Sequence, residues 1–220
     1  MTHKTHPKVL RIKRMDDWEN RGFYGKKFPK QLEQDFFIRK FLLKKLEEAA
    51  VDSVKIERFP AKLNIIIKSA RPGLIIGRGG SGAEELKKEL KGKLMALRKK
   101  RNGVKVPELR IEIQEIKNPW TSAALIGQAI AKQVVKRVPF RRVIKQSLEN
   151  VMENKDIKGA KIEIAGRLDG NEIARREWLK KGRLPRQTLR ADIEYAHTSA
   201  YCTYGTIGIK VWLYKGDKFD

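Results

Sequence analysis

Apolar positions along the chain change period several times, and each change marks an element. Between residues 32 and 50, Phe37, Phe41, Leu42, Leu43, Leu46, Ala49 and Ala50 recur at three- and four-residue intervals, which predicts a helix. Val54–Arg58 alternates apolar with charged, and Leu63–Ile67 is apolar almost throughout. Both read as strands, with Pro60-Ala61 as the turn between them. After a glycine-rich stretch, a second helix begins near Gly82, with Leu86, Leu90, Leu94 and Leu97 on one face and Gly92 weakening its middle. The basic run Arg98-Lys99-Lys100-Arg101-Asn102-Gly103 then reads as an exposed loop. Leu109, Ile111 and Ile113 alternate with Arg110, Glu112 and Gln114 as a third strand. The order helix, strand, strand, loop and helix, strand predicts a small α+β domain with a helical layer on a three-stranded sheet.

Lys117-Asn118-Pro119 closes that domain, because proline disfavours continuation of the strand. Ile126, Ile130 and Val134 then lie four apart on a helix beginning near Thr121, with Thr121 or Ser122 as its cap. Pro139 separates it from a helix over Phe140 to Met152, where Phe140, Ile144, Leu148 and Met152 form the buried stripe. Strands follow at Ala160–Ala165, Leu189–Tyr195 and Thr206–Tyr214, with a short helix expected over Glu172–Lys181. The second domain is therefore a two-layer α/β unit, two helices on a three- or four-stranded antiparallel or mixed sheet. Residues 1–30, interrupted by Pro7, Gly22, Gly25 and Pro29, read as a basic irregular arm, leaving domains at 31–117 and 118–220.

Charge gives this architecture a direction. Fifty Lys and Arg oppose 26 Asp and Glu in 220 residues, a formal net charge of +24 on a chain that is 40% hydrophobic and so able to build cores. Such an excess implies a polyanionic partner, nucleic acid before an anionic membrane. No stretch approaches the 18 apolar residues of a membrane span, and the cations are not gathered on one amphipathic helix. Met1–Arg14 lacks the apolar core of a secretory signal, which points to the cytoplasm. Cys202 is the single cysteine, which leaves no intrachain disulfide and no multi-cysteine zinc site. His3, His6 and His197 are the only histidines, and Glu84-Glu85 suit the first turn of a helix rather than catalysis. The sequence therefore implies no catalytic residues, no metal site and no cofactor.

The chemistry sits first in Gly77-Arg78-Gly79-Gly80, after Arg71-Pro72-Gly73 and Ile75-Ile76. Gly77, Gly79 and Gly82 match dinucleotide-fingerprint spacing, but no acidic residue follows some 20 positions on, and the Lys-Ser/Thr pair of a nucleoside-triphosphate loop is absent. Gly-x-x-Gly behind an extended apolar segment fits the KH module, whose loop clamps a sugar-phosphate backbone. A second surface is the helix after Pro139. Arg141, Arg142 and Lys145 share a side opposite its apolar stripe, Lys132, Lys136 and Arg137 lie just before, and no acid interrupts Lys132 to Lys145. A third basic region holds Arg167, Arg175, Arg176, Lys180, Lys181, Arg183, Arg186 and Arg190, where arginine suits bidentate phosphate contact. Arg98, Lys99, Lys100 and Arg101 add a further RNA-facing run. Trp178 and Trp212 read as core or intraprotein contacts rather than base-stacking platforms.

Several stretches together resemble the family of bacterial-type small-subunit ribosomal protein S-three over nearly the whole chain. They are Ala70-Arg71-Pro72-Gly73 with Ile76–Gly80, Ile113-Gln114-Glu115-Ile116-Lys117, Phe140-Arg141-Arg142, Gly166-Arg167-Leu168, Glu172–Arg175 with Glu177-Trp178, Leu189–Ile193, and Thr203-Tyr204-Gly205 through Trp212. The resemblance implies a type II KH domain followed by the family's own C-terminal domain. It also implies a place in the head of the small subunit on 16S-type ribosomal RNA, with S-ten, S-fourteen, S-four and S-five as neighbours. Arg141, Arg142 and Lys145 match the family's basic patch lining the messenger entry channel, where cations hold the incoming strand and assist its unwinding. A free-standing KH-type regulator is the alternative, and a nucleic-acid enzyme a more distant one.

Overall fold

The computed structural model of the chain describes residues 5–11, 17–22, 28–101 and 108–219. The chain divides into two compact units, one of Trp18–Lys117 and the other of Met1–Asp17 with Asn118–Asp220.

In the first unit, β1 (Asn20–Gly22), α1 (Phe28–Lys45), β2 (Val51–Arg58), β3 (Lys62–Ser69), α2 (Pro72–Ile76), α3 (Ser81–Arg101) and β4 (Glu108–Glu115) follow in order. The sheet runs β1-β2-β3-β4. β2 and β3 are antiparallel, whereas β3 and β4 are parallel from Lys62↔Glu108 to Ser69↔Glu115. A parallel pair needs a crossover, and α2 with α3 supplies it, which is the type II KH arrangement. Alternate residues of β2 and β3, among them Val54, Ile56, Leu63, Ile65 and Ile67, bury one face against Ile38 and Leu42 of α1 and Leu86, Leu90 and Leu94 of α3. Beneath α1 the guanidinium of Arg58 donates to Asp35 and, at 3.2 Å, to Gln34. Arg58 is 5% exposed and Asp35 1%.

Several expectations change here. The sheet has four strands, because β1 pairs in parallel with Ile56–Arg58 of β2. The first helix starts at Phe28 and ends at Lys45, and Ala50, at φ +51, turns the chain into β2. Arg98, Lys99, Lys100 and Arg101, expected in a loop, are helical backbone at the end of α3. Lys and Arg are good helix formers, so the run extends the helix instead of breaking it. Asn102 and Gly103 lie outside the described residues, as do Lys4, Lys13, Arg14, Lys26 and Lys27 of the expected arm.

The second unit contains α4 (Ala123–Val135), α5 (Phe140–Met152), β5 (Gly159–Gly166), β6 (Arg175–Gly182), β7 (Ala191–Cys202) and β8 (Gly205–Asp217). Its sheet order is β6-β5-β8-β7, antiparallel throughout. Ser122 caps α4, its side-chain oxygen accepting from the amide of Leu125. The core lies between the two helices and one sheet face, with Ile126, Ile130, Val143 and Ile144 against Ile162, Ile164, Ile209 and Val211.

The helix expected over Glu172–Lys181 is instead strand β6. Arg, Glu, Leu and Lys give this stretch helical propensity, yet eight residues pair with β5 from Gly166↔Arg175 to Gly159↔Gly182. Tertiary pairing overrides so weak a local preference, and the charged side chains suit an edge strand. The arm also departs from expectation. Residues Val9–Arg11 form a 3-10 turn, and Arg11 is buried at 1%. Its guanidinium donates to the carbonyls of Ala191 (2.7 Å), Pro7 (2.8 Å), Thr188 (2.8 Å) and Arg186 (3.2 Å). Arg11 is thus an internal clasp, not a phosphate-facing cation.

Candidate nucleic-acid interface

Two surfaces, one on each unit, present cations and open backbone. On the first, α2 ends at Ile76 and the chain turns through Gly77, Arg78, Gly79 and Gly80 into α3. The glycines divide into two kinds. A Cβ on Gly82 would stand 2.9 Å from the Ile75 carbonyl oxygen and one on Gly77 would stand 3.0 Å from the Gly82 nitrogen, so these two let the loop close on the helix. Gly79, at φ +60, and Gly80, at φ +85, face open space. Arg78 and Gly79 are exposed. The result is a bare stretch of backbone with a cation beside it at the start of a 21-residue helix, a geometry that accepts a phosphate.

On the second unit, Arg141, Arg142 and Lys145 are exposed on α5, while Phe140, Val143, Ile144 and Leu148 bury the opposite side. The trio is not equivalent. Arg141 donates from Nε (3.3 Å) and Nη2 (3.1 Å) to the carboxylate of Glu177 on β6. That hydrogen bond, the charge of Glu177 and the charge of Asp169 raise the pKa of Arg141 further. No acid interrupts Lys132 to Lys145 in the sequence, but the fold brings Glu177 to Arg141. Among the described residues no carboxylate pairs with Arg142 or Lys145.

The third basic region splits across the two faces of β6. Register places Arg175, Glu177 and Lys181 on the helix-covered face, opposite Gly166, Ile164 and Ala160. Arg176, Trp178 and Lys180 share the other face, opposite Ala165, Glu163 and Lys161. Arg175, Arg183 and Arg190 are exposed, and Arg176 lies 4.0 Å from Glu163. Arg190 sits 5.4 Å from the Phe219 ring and Arg167 5.9 Å from the Tyr204 ring. Trp212 is buried, but Trp178 is 53% exposed. Lys161 Nζ stands 4.8 and 4.9 Å from these two rings, satisfying part of both indoles internally. Lys132, Lys136 and Arg137 are exposed at the end of α4. The side chains of Arg98, Lys99, Lys100 and Arg101 lie outside the described residues. Among the described residues no group of three or more His, Cys, Asp or Glu side chains lies together as a metal site, and no helix is long and apolar enough to cross a membrane.

Fold and loop together define the chain's class: a KH-containing protein with a second, basic α/β unit. Family models agree on both parts. The model described as KH domain matches residues 37–121, and that described as ribosomal protein S3, C-terminal domain, matches residues 130–213. The small ribosomal subunit protein uS3 of Caldicellulosiruptor saccharolyticus is 44% identical over 218 residues, covering 99% of this chain and 93% of that protein. The protein of the same name from Lactobacillus helveticus is 42% identical over 217 residues, covering 99% and 92%. That from Synechocystis is 40% identical over 218 residues, covering 99% and 87%. The chain belongs to the family of small ribosomal subunit protein uS3.

Proposed function

We propose that the chain is a structural component of the small ribosomal subunit head that binds 16S-type ribosomal RNA and holds messenger RNA where it enters. It acts in the cytoplasm, among S-ten and S-fourteen and, on the entry side, S-four and S-five. The observation that carries the messenger role is the exposure of Arg142 and Lys145 on a helix whose opposite side is buried, with no carboxylate partner among the described residues. Two exposed cations on a rigid helix hold successive phosphates of a single strand without reading its bases. Arg141, engaged by Glu177, is the reserve member. The chain performs no bond chemistry. Its cations resist back-sliding of the incoming strand while translocation supplies the energy for unwinding.

Sedimentation of a cell lysate at high and low magnesium tests the ribosomal role. Stoichiometric migration with the small subunit is expected. A free pool migrating apart from the subunits would favour a free-standing RNA-binding regulator instead.

A further inference from the structure

Three connections of the second unit meet at a cavity of about 510 Å³ whose lining includes neither the KH loop nor Arg141, Arg142 or Lys145. Its wall comes from the α4–α5 corner, the β5–β6 connection and the β7–β8 turn. Phe140, Leu168 and Ile207 are buried beneath it, and Arg137, Arg167 and Tyr204 line it. The size falls within the roughly 300–1,000 Å³ of small-molecule pockets, and so does the mixture of an apolar floor with a few polar groups.

Arg137 is the first unusual feature. Helix α4 closes in a Schellman turn, with Val138 N donating to the Gln133 carbonyl (3.2 Å) and Arg137 N to that of Val134 (2.9 Å). Arg137 occupies the left-handed position of that turn at φ +61, where glycine is the common choice because a Cβ costs free energy there. Among the described residues no carboxylate pairs with the Arg137 guanidinium, so the fold gains no ion pair in return. Asp169, which also lines the cavity, is left-handed as well at φ +53. Of the three non-glycine residues with positive φ among those described, two therefore line one cavity. Strain of this kind gathers at binding sites.

Tyr204 is the second feature. Its ring rests against Gly170, where a Cβ would stand 3.2 Å from Cε2, and the Arg167 guanidinium lies 5.9 Å from its centroid. The ring is held in place yet 54% exposed. Arg167 Nε donates to the Asn171 carbonyl (2.9 Å), which fixes the guanidinium beside the ring.

We propose that this cavity receives one unstacked RNA nucleotide, with its base on the apolar floor against Tyr204 and its phosphate between Arg137 and Arg167. Asp169 is then an acceptor for a base amino group or a ribose hydroxyl. The proposal rests on the RNA-binding reading above and deepens it. RNA is the favoured occupant because both arginines are cationic, and because Phe140 beneath the cavity is followed at once by Arg141 and Arg142 on α5. Asp169, which lines the cavity, acts electrostatically on Arg141 of α5, so a strand held on that helix runs close to the cavity.

The test measures binding of the full chain to a ten-nucleotide uridine strand and to a phosphate-matched abasic strand. The wild-type protein is expected to prefer the uridine strand by about fivefold or more, the scale of one base–aromatic stack. Tyr204→Ala is expected to remove most of that preference. Arg137→Gly is expected to weaken binding to both strands while raising the thermal midpoint, since glycine relieves the left-handed strain. That opposite movement separates a binding role from a structural one even if Tyr204→Ala impairs folding. Equal wild-type affinity for both strands, or a preference that survives both substitutions, overturns the cavity assignment alone and leaves a protein segment as the occupant to seek. Failure of the wild-type chain to bind either strand overturns the wider RNA reading with it.

Discussion

Arg141 of α5 and Glu177 of β6 are joined by two hydrogen bonds, from Nε at 3.3 Å and Nη2 at 3.1 Å. One member of the proposed entry-channel trio is therefore already held by an acid, and RNA must compete for it. The Arg141 side chain is largely solvated and that of Glu177 partly so, and the contact is a modest brake rather than a lock. Glu177→Gln is expected to strengthen single-strand RNA binding. The slope of log affinity against log salt should steepen by about 0.7, the value for one more phosphate contact on a single strand. Filter binding over a salt series measures it, and an unchanged slope contradicts the competition.

The glycines of the KH loop should respond differently to substitution. Gly82→Ala places a Cβ 2.9 Å from a backbone oxygen, which cannot move aside cheaply. It is expected to destabilise the first unit by about 1–3 kcal/mol, the usual cost of overpacking. Gly79 faces open space at φ +60, a conformation aspartate tolerates. Gly79→Asp should fold but bind RNA less well, because it sets a carboxylate among the loop amides. Paired thermal melts and RNA titrations check the contrast, and equal loss of stability in both variants contradicts it.

The buried Arg58–Asp35 pair should dominate the stability of the same unit. Asp35→Ala leaves a guanidinium 5% exposed without its carboxylate. The expected cost is about 3–5 kcal/mol. Amide hydrogen exchange in α1 and β2 reads it out, and protection equal to wild type contradicts the role given to the pair.

Glu163 gives the second unit an acid-sensitive link. Burial alone would raise its pKa, but the hydrogen bond from Lys161 at 2.9 Å and the charges of Lys161, Arg176 and Lys210 more than offset this, so the net shift is downward. A carboxylate lowered in the native state adds stability that is fully present above the unfolded value of about 4.3 and is lost as pH falls through the native one. Glu163→Gln should therefore lower the melting midpoint at pH 7 and flatten its decline below about pH 4.5. Parallel slopes for wild type and variant would contradict the link.

Periodicity made most of the framework readable. Phe140–Met152 is the helix its stripe of Phe140, Ile144 and Leu148 implies, and the alternation in Val54–Arg58 and Leu109–Ile113 lies within β2 and β4. β6 was not readable, because its run of Arg, Glu, Leu and Lys has helical propensity and only pairing with β5 makes it a strand. That error also hid the Arg141–Glu177 contact, since Glu177 lies 36 residues away and reaches α5 only from β6. Arg11 was illegible for a related reason: one arginine in a basic segment carries no local sign that the distant carbonyls of Arg186, Thr188 and Ala191 await it. The cavity at Arg137 depended on three separate connections converging, although an arginine directly after the last turn of α4 was a faint signal.

The central claim is that cations on α5 hold messenger RNA during unwinding. Its most direct test uses ribosomes rebuilt with Arg141→Ala, Arg142→Ala and Lys145→Ala together, timed as they translate through a stable messenger hairpin and through an unstructured control. The predicted result is slowed passage through the hairpin with normal speed on the control, and a larger defect from Arg142→Ala than from Arg141→Ala alone. Wild-type speed through the hairpin in the triple variant would contradict the account.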